Sequence, residues 1–164
     1  MKNILLAYAS KAGSTAEIAQ RIGKTLSGRG YTVDVKPVSQ AGDLSGYQGI
    51  ILGSAIRIGN VLPEVKTFIE KNQAALTRMP FNLFIVCMTL EKDTEENRKA
   101  VAAYLEPVRA IAKPAVEGMF SGVIDTKKLP FIERLMIKAM KAPVGDFRRW
   151  DQIEAWTETL ALPA

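Results

Sequence analysis

With 164 residues, 48% hydrophobic and 24% charged, the chain has the length and balance of one folded domain rather than a disordered segment. It has no histidine and a single cysteine, Cys87, which excludes an internal disulfide, a CxxC motif, His-ligated metals and Ser-His-Asp or Cys-His nucleophiles. The formal charge of +5 favours an anionic ligand or partner; no helix-turn-helix, zinc-finger or RNP-like signature accompanies it, so nucleic acid is not expected.

No apolar run approaches the ~20 residues of a membrane-spanning helix, and the N-terminus lacks a signal-peptide pattern, so a cytoplasmic location is expected. Ile4–Ala9 reads as a buried strand, and Thr15–Ser27 as a helix with Ile18, Ile22 and Leu26 on one face. Gly28 and Gly30 suit its end. Tyr31–Pro37 alternates Tyr31, Val33 and Val35 as an edge strand does, and Gly49–Ser54 is a short apolar strand. Pro63 fits a first helical position, opening a helix with Val65, Phe68 and Ile69. Phe81–Met88 is a further apolar strand that places Cys87 as a packing residue. Asp93 and Glu96 form an expected capping box for a helix carrying Val101, Leu105 and Val108, which Pro107 should kink or break. Ala115–Gly122 reads as the fifth strand, Pro130–Lys141 as a helix, and Asp151 as the cap of a final helix with Ile153, Trp156 and Leu160. Trp150 and Trp156 read as core anchors, Tyr8 and Tyr47 as packing residues.

No repeat or linker interrupts the alternation, so residues 1–164 are expected to form a single α/β domain. Strands joined by helix-length connections imply a parallel sheet covered on both faces, a three-layer sandwich. Five strands favour the doubly wound order 2-1-3-4-5, whose ligands bind beyond the carboxyl ends of the strands. The loops after the first, third and fourth strands are therefore the candidate site.

The first of these, Ser10-Lys11-Ala12-Gly13-Ser14-Thr15, contains neither GxGxxG nor GxxxxGK[ST]. It offers hydroxyls, a glycine and a helix N-terminus, which together make an anion site. Ser14 and Glu17 also parse as an ordinary capping box, and both readings stand on local sequence. A response-regulator receiver shares the strand order but needs acidic residues where this chain has Ala9-Ser10 and Gly53-Ser54.

Ala7–Thr15 after a buried strand resembles the FMN-phosphate loop of flavodoxins. Gly53–Gly59, Leu135–Lys141 and Trp150–Trp156 resemble more narrowly the flavodoxin-like family of menaquinone-dependent protoporphyrinogen oxidase. The resemblance implies a flavodoxin-like fold with FMN as cofactor. It implies that Ser10, Lys11, Ala12, Gly13, Ser14 and Thr15 take the phosphate. Ser54, Ala55, Ile56, Arg57, Ile58, Gly59 and Asn60, with Met88, Thr89, Leu90 and Glu91, would then flank the ring. Ile56, Ile58, Met88 and Leu90 stand where many flavodoxins carry a stacking aromatic residue.

Arg57 is either a solvated loop arginine or a charge that stabilises reduced flavin and raises its potential above that of acidic flavodoxins. In Lys127–Lys141, Ile132, Leu135, Met136, Ala139 and Met140 share one face, with Arg134, Lys138 and Lys141 on the other. Such a helix either packs its apolar stripe on the sheet or docks on an anionic membrane surface or acidic partner, which would place the protein peripherally at an inner membrane face. Three functions are consistent with these residues: an FMN oxidoreductase acting on a quinone or porphyrinogen-type substrate, an electron carrier between partner proteins, and a partner-binding module without flavin.

Overall fold

Apolar runs too short for helices become strands where β-branched and aromatic residues dominate. In the computed structural model, which describes residues 2–11, 13–125, 127, 130–141 and 144–164, β1 (Asn3–Ala9) leads into α1 (Ser14–Gly28) and then β2 (Thr32–Pro37). β3 (Gly49–Arg57) and a two-residue strand, β4 (Asn60–Val61), precede α2 (Pro63–Lys71) and α3 (Gln73–Arg78). β5 (Phe81–Val86), a 3-10 turn at Met88–Glu91, α4 (Glu95–Ala103) and α5 (Glu106–Ile111) follow. β6 (Val116–Phe120) closes the sheet, and the chain continues through β7 (Val123–Ile124), α6 (Phe131–Ala139), β8 (Gly145–Asp146) and α7 (Trp150–Glu158).

The main strands run parallel in the order β2-β1-β3-β5-β6, with β4 antiparallel to β3 and outside that path. Counting only the parallel strands, this is the 2-1-3-4-5 order expected from the sequence. The strand side chains alternate between two cores, as the pleat requires. Leu5, Ala7, Ile50, Leu52, Leu83 and Ile85 meet Val65, Ile69, Val101 and Leu105 on one side. Ile4, Leu6, Ile51, Phe84 and Phe120 meet Ile18, Ile22, Leu26 and Ile153 on the other. Each layer of helices thus buries one stripe, completing the three-layer sandwich.

Trp156 anchors the second core as expected: its ring lies edge-on to Phe84 and Phe120, with centroids 5.9 and 5.4 Å away. Trp150 packs against the same core and also takes cations on its ring, Arg148 at 4.7 Å and Arg21 at 5.3 Å. Gly53 is required by packing, since a Cβ there would fall 2.2 Å from Phe84 Cζ.

The Pro63 helix buries Val65, Phe68 and Ile69 as expected and stops at Lys71; a new helix starts at Gln73, with Asn72 Nδ2 donating to the Phe68 carbonyl at the break. Other local expectations are corrected. Thr94, not Asp93, caps α4, its side chain accepting the Asn97 N–H at 3.1 Å; Asp93 is taken by the Arg98 guanidinium instead. Pro107 occupies the first turn of α5 and the helix breaks there, one of the two outcomes expected. Asp151 lies inside the first turn of α7, whose cap position is Arg149. The largest departure is α6, in which no residue is buried, so its apolar stripe does not pack on the sheet. The helical residues of the second core come from α1 and α7, and α6 contributes none.

Candidate functional site

The loop between β1 and α1 is folded by its own hydroxyl: Ser10 Oγ accepts the Gly13 N–H at 3.0 Å. Gly13 is the cap residue of α1 and adopts a left-handed conformation at φ 91°, where a side chain is strained. α1 therefore starts without a side-chain cap, and Glu17 does not reach back as a capping box; its carboxylate pairs with Arg148. The anion-binding potential of the helix start is consequently left available. Thr15 sharpens the point. Its residue is fully buried, and its Oγ1 is a buried hydroxyl with no hydrogen-bond partner. An unpaired buried hydroxyl costs about 1–3 kcal/mol, a cost that a ligand oxygen would remove.

Above this loop is a cavity of about 440 Å³, within the range of small-molecule sites. Ser10, Lys11, Ser14 and Thr15 line one end. Ala55, Ile56, Arg57 and Ile58 supply one wall, and Val86 with Met88 another. The remaining boundary comes from Gly122–Asp125 and from Glu133, Met136, Ile137 and Met140 of α6. Gly122 is needed here, because a Cβ would lie 2.6 Å from Val86 Cγ1 and 3.0 Å from Ser14 Oγ, filling the cradle.

The wall at residues 54–61 is a tight hairpin. Ile56 pairs with Val61 and Arg57 with Asn60, leaving Ile58 and Gly59 as the two turn residues, both at positive φ. A β-branched residue in that conformation is unusual, and Ile58 is 93% exposed at the tip. Arg57 reaches across the cavity to an ion pair with Glu133 on α6. The chain after β6 is held down by arginines. Arg149 donates to the carbonyls of Leu90 and Glu91 at 3.1 and 3.0 Å, tying the 3-10 turn to the start of α7. Arg148 bonds Asp146 and Glu17, joining β8 to α1. Its guanidinium holds the Asp146 carboxyl below the ordinary value, and the same bonds raise Arg148. Among the described residues, no group of three or more acidic or cysteine side chains could hold a metal ion.

The flavodoxin domain pattern matches residues 5–149. The chain belongs to the flavodoxin family. It is similar to protoporphyrinogen IX dehydrogenase [quinone] of Escherichia coli K12, with 23% identity over 98% of this chain and 95% of that protein. Flavodoxin 1 from Bacillus cereus superposes with a TM-score of 0.54 at 19% identity, covering 87% of this chain and 99% of that one. The apo form of an NADH:FMN oxidoreductase gives a TM-score of 0.59 at 14% identity, covering 98% and 91%. Family membership assigns FMN as the cofactor of this flavodoxin domain. The site fits an anionic group on its own evidence: an orphaned buried hydroxyl at a helix start, and a cradle that one extra Cβ would fill.

Of the residues expected to take the phosphate, Ser10, Lys11, Ser14 and Thr15 line the cavity, Gly13 forms the turn below it, and Ala12 lies outside the described residues. Of the expected ring-side residues, Ala55, Ile56, Arg57, Ile58 and Met88 line it. Ser54 is buried and internally bonded, its Oγ accepting the Leu62 N–H at 2.9 Å and donating to the Ala55 carbonyl at 2.8 Å. Gly59 faces Tyr104, and Asn60 donates to the Ile58 carbonyl. Leu90 belongs to the first core, while Thr89 and Glu91 offer their carbonyls to Asn97 and Arg149. The residues the sequence did not mark are Val86, Gly122–Asp125 and the α6 residues. Glu133 also changes the expectation for Arg57, because an ion pair at that guanidinium offsets the charge assumed to raise the flavin potential.

Proposed function

We propose that this flavodoxin-like domain, spanning residues 1–164, is an FMN-dependent oxidoreductase passing electrons between small organic molecules, with a quinone as acceptor and a porphyrinogen-type compound as donor. The observation that carries the reading is the cavity's two-ended character. An anion-binding helix start with an unpaired Thr15 hydroxyl lies at one end, and a largely apolar lining of Ile56, Ile58, Met88, Met136 and Met140 at the other. Ser10, Ser14 and Thr15, with the backbone after Gly13, would hold the phosphate of FMN, and Lys11 would add its charge. FMN, when bound, supplies the two-electron redox chemistry. The apolar wall, open to solvent at Ile58, Met136 and Met140, offers a flat, hydrophobic substrate an apolar surface to lie against. In each turnover two electrons and two protons leave the donor and reduce the quinone to a quinol. No histidine is needed as a base, and none is present.

The resemblance in sequence to a quinone-linked dehydrogenase supports the same reading. A protein-to-protein electron carrier is less well matched, because α6 shields one side of the cavity that such a carrier presents to its partner. The absorption spectrum of the purified protein reports FMN directly. Steady-state oxidation of protoporphyrinogen coupled to quinone reduction is the expected activity. Flavin that exchanges single electrons with a redox protein but fails to turn over any quinone would establish the carrier instead.

A further inference from the structure

Six of the seven exposed large apolar residues among those described gather around one feature, Val144 being the seventh. Phe131, Ile132, Leu135, Met136 and Met140 are exposed on α6, and Ile58 stands at the hairpin tip that lines the same cavity. At about 100° per residue, α6 has three distinct sides. Met136, Met140, Glu133 and Ile137 span an arc of roughly 100° that faces the cavity. Phe131, Leu135 and Ile132 span the next roughly 100°, and Arg134 and Lys138 lie in the remaining arc, with Lys141 just past the end of the helix. The side carrying Phe131, Leu135 and Ile132 meets neither sheet nor cavity. A helix buried against its own domain would not need a third side; one lying in a lipid–water interface has apolar residues down and basic residues beside them.

We infer that α6 is a docking helix for an anionic phospholipid bilayer, seated on Phe131, Ile132 and Leu135. Charge complementarity selects the occupant: Arg134 and Lys138 border the apolar side, Lys141 follows at the helix end, and the chain's net charge of +5 attracts an anionic leaflet and repels a second copy. Met136 and Met140 are both exposed and part of the cavity wall, so the docking side and the cavity share a border. A lipid-soluble acceptor can therefore pass from the bilayer along these methionines into the cavity without crossing bulk water. This route rests on the quinone-reducing function proposed for the site; the docking itself does not.

The test uses the full FMN-loaded chain in co-sedimentation with phosphatidylcholine vesicles, with and without phosphatidylglycerol. Each basic side chain near an anionic leaflet strengthens binding about fivefold. Wild type is expected to sediment only with the anionic vesicles, and Lys138→Glu with Lys141→Glu to weaken this by more than about 25-fold. Combined Phe131→Glu, Ile132→Glu and Leu135→Glu should abolish binding, with FMN retained as the sign of an intact fold, since none of the three lines the cavity. These variants should reduce a water-soluble short-chain quinone at the wild-type rate and lose activity on a long-chain quinone held in vesicles. Wild type left in the supernatant with anionic vesicles, or variants that bind as well as wild type, would overturn the docking. So would a concentration-dependent dimer that the triple variant dissociates, in a protein that ignores vesicles. Vesicle binding without turnover of either quinone would uphold the docking helix and end the enzymatic reading and its acceptor route.

Discussion

Thr15 carries a cost in the protein without ligand, because its buried hydroxyl has no partner. Valine has nearly the same shape and no such group. Thr15→Val is expected to leave the FMN-free protein as stable or to stabilise it by about 1 kcal/mol. The same change should weaken FMN about 10- to 100-fold, the worth of a hydrogen bond to a charged group. Thermal unfolding of the apo protein and a flavin fluorescence titration measure the two opposite effects. Glu133→Gln removes the anion that offsets Arg57. A unit charge about 10 Å from a redox centre, at an effective dielectric of about 20, is worth roughly 1.7 kcal/mol before screening. The variant's flavin midpoint potential should therefore rise by roughly tens of millivolts, read by a dye-linked redox titration. Arg57 was visible in the sequence as a loop cation next to the third strand. Its partner was not, because Glu133 is far away in the chain and reaches Arg57 only through a helix that does not follow the packing pattern.

At the scale of elements, the strands and their order were legible because buried parallel strands are continuous apolar runs with few competing readings. Ile4–Ala9, Phe81–Met88 and the Gly49 strand all stand where expected, within a few residues. The details lost were those decided by contacts between elements. Asp93 looked like a cap until Arg98 drew its carboxylate away and left the role to Thr94. The two-residue strand β4 has no hydrophobic signature of its own; it exists because Ile58 and Gly59 turn the chain back onto β3. Tethers of this kind also set the acid response. Asp146 is held below its ordinary value of 3.8 first by hydrogen bonds from Arg148, which also reaches Glu17 on α1. A carboxyl depressed in the folded state contributes stability that is present above its unfolded pKa and is lost as pH falls through the folded one. Unfolding free energy should thus stay level from neutral pH to about 4 and decline below it. Asp146→Asn should flatten part of that decline, which chemical denaturation across an acid pH series will show. Wild-type and variant curves of equal steepness would rule out the tether.

For the molecule as a whole, a ligand that binds only the folded state stabilises it by mass action. FMN at about 100 times its dissociation constant adds about 2.7 kcal/mol, or roughly 5–10 °C in Tm for a chain of this size. Scanning fluorimetry across an FMN series should show that rise, and Thr15→Val should require correspondingly more FMN to reach it. A Tm indifferent to FMN would contradict the cofactor assignment. The stability of the FMN-free protein rests on the two cores, which contain no residue of α6. The outward side of α6, Phe131, Ile132 and Leu135, is therefore an interchangeable panel on a fixed chassis. It can be rewritten without taxing the sheet, so different polarity there would retarget the domain to another surface, while Glu133, Met136, Ile137 and Met140 on the inward side keep the cavity as it is.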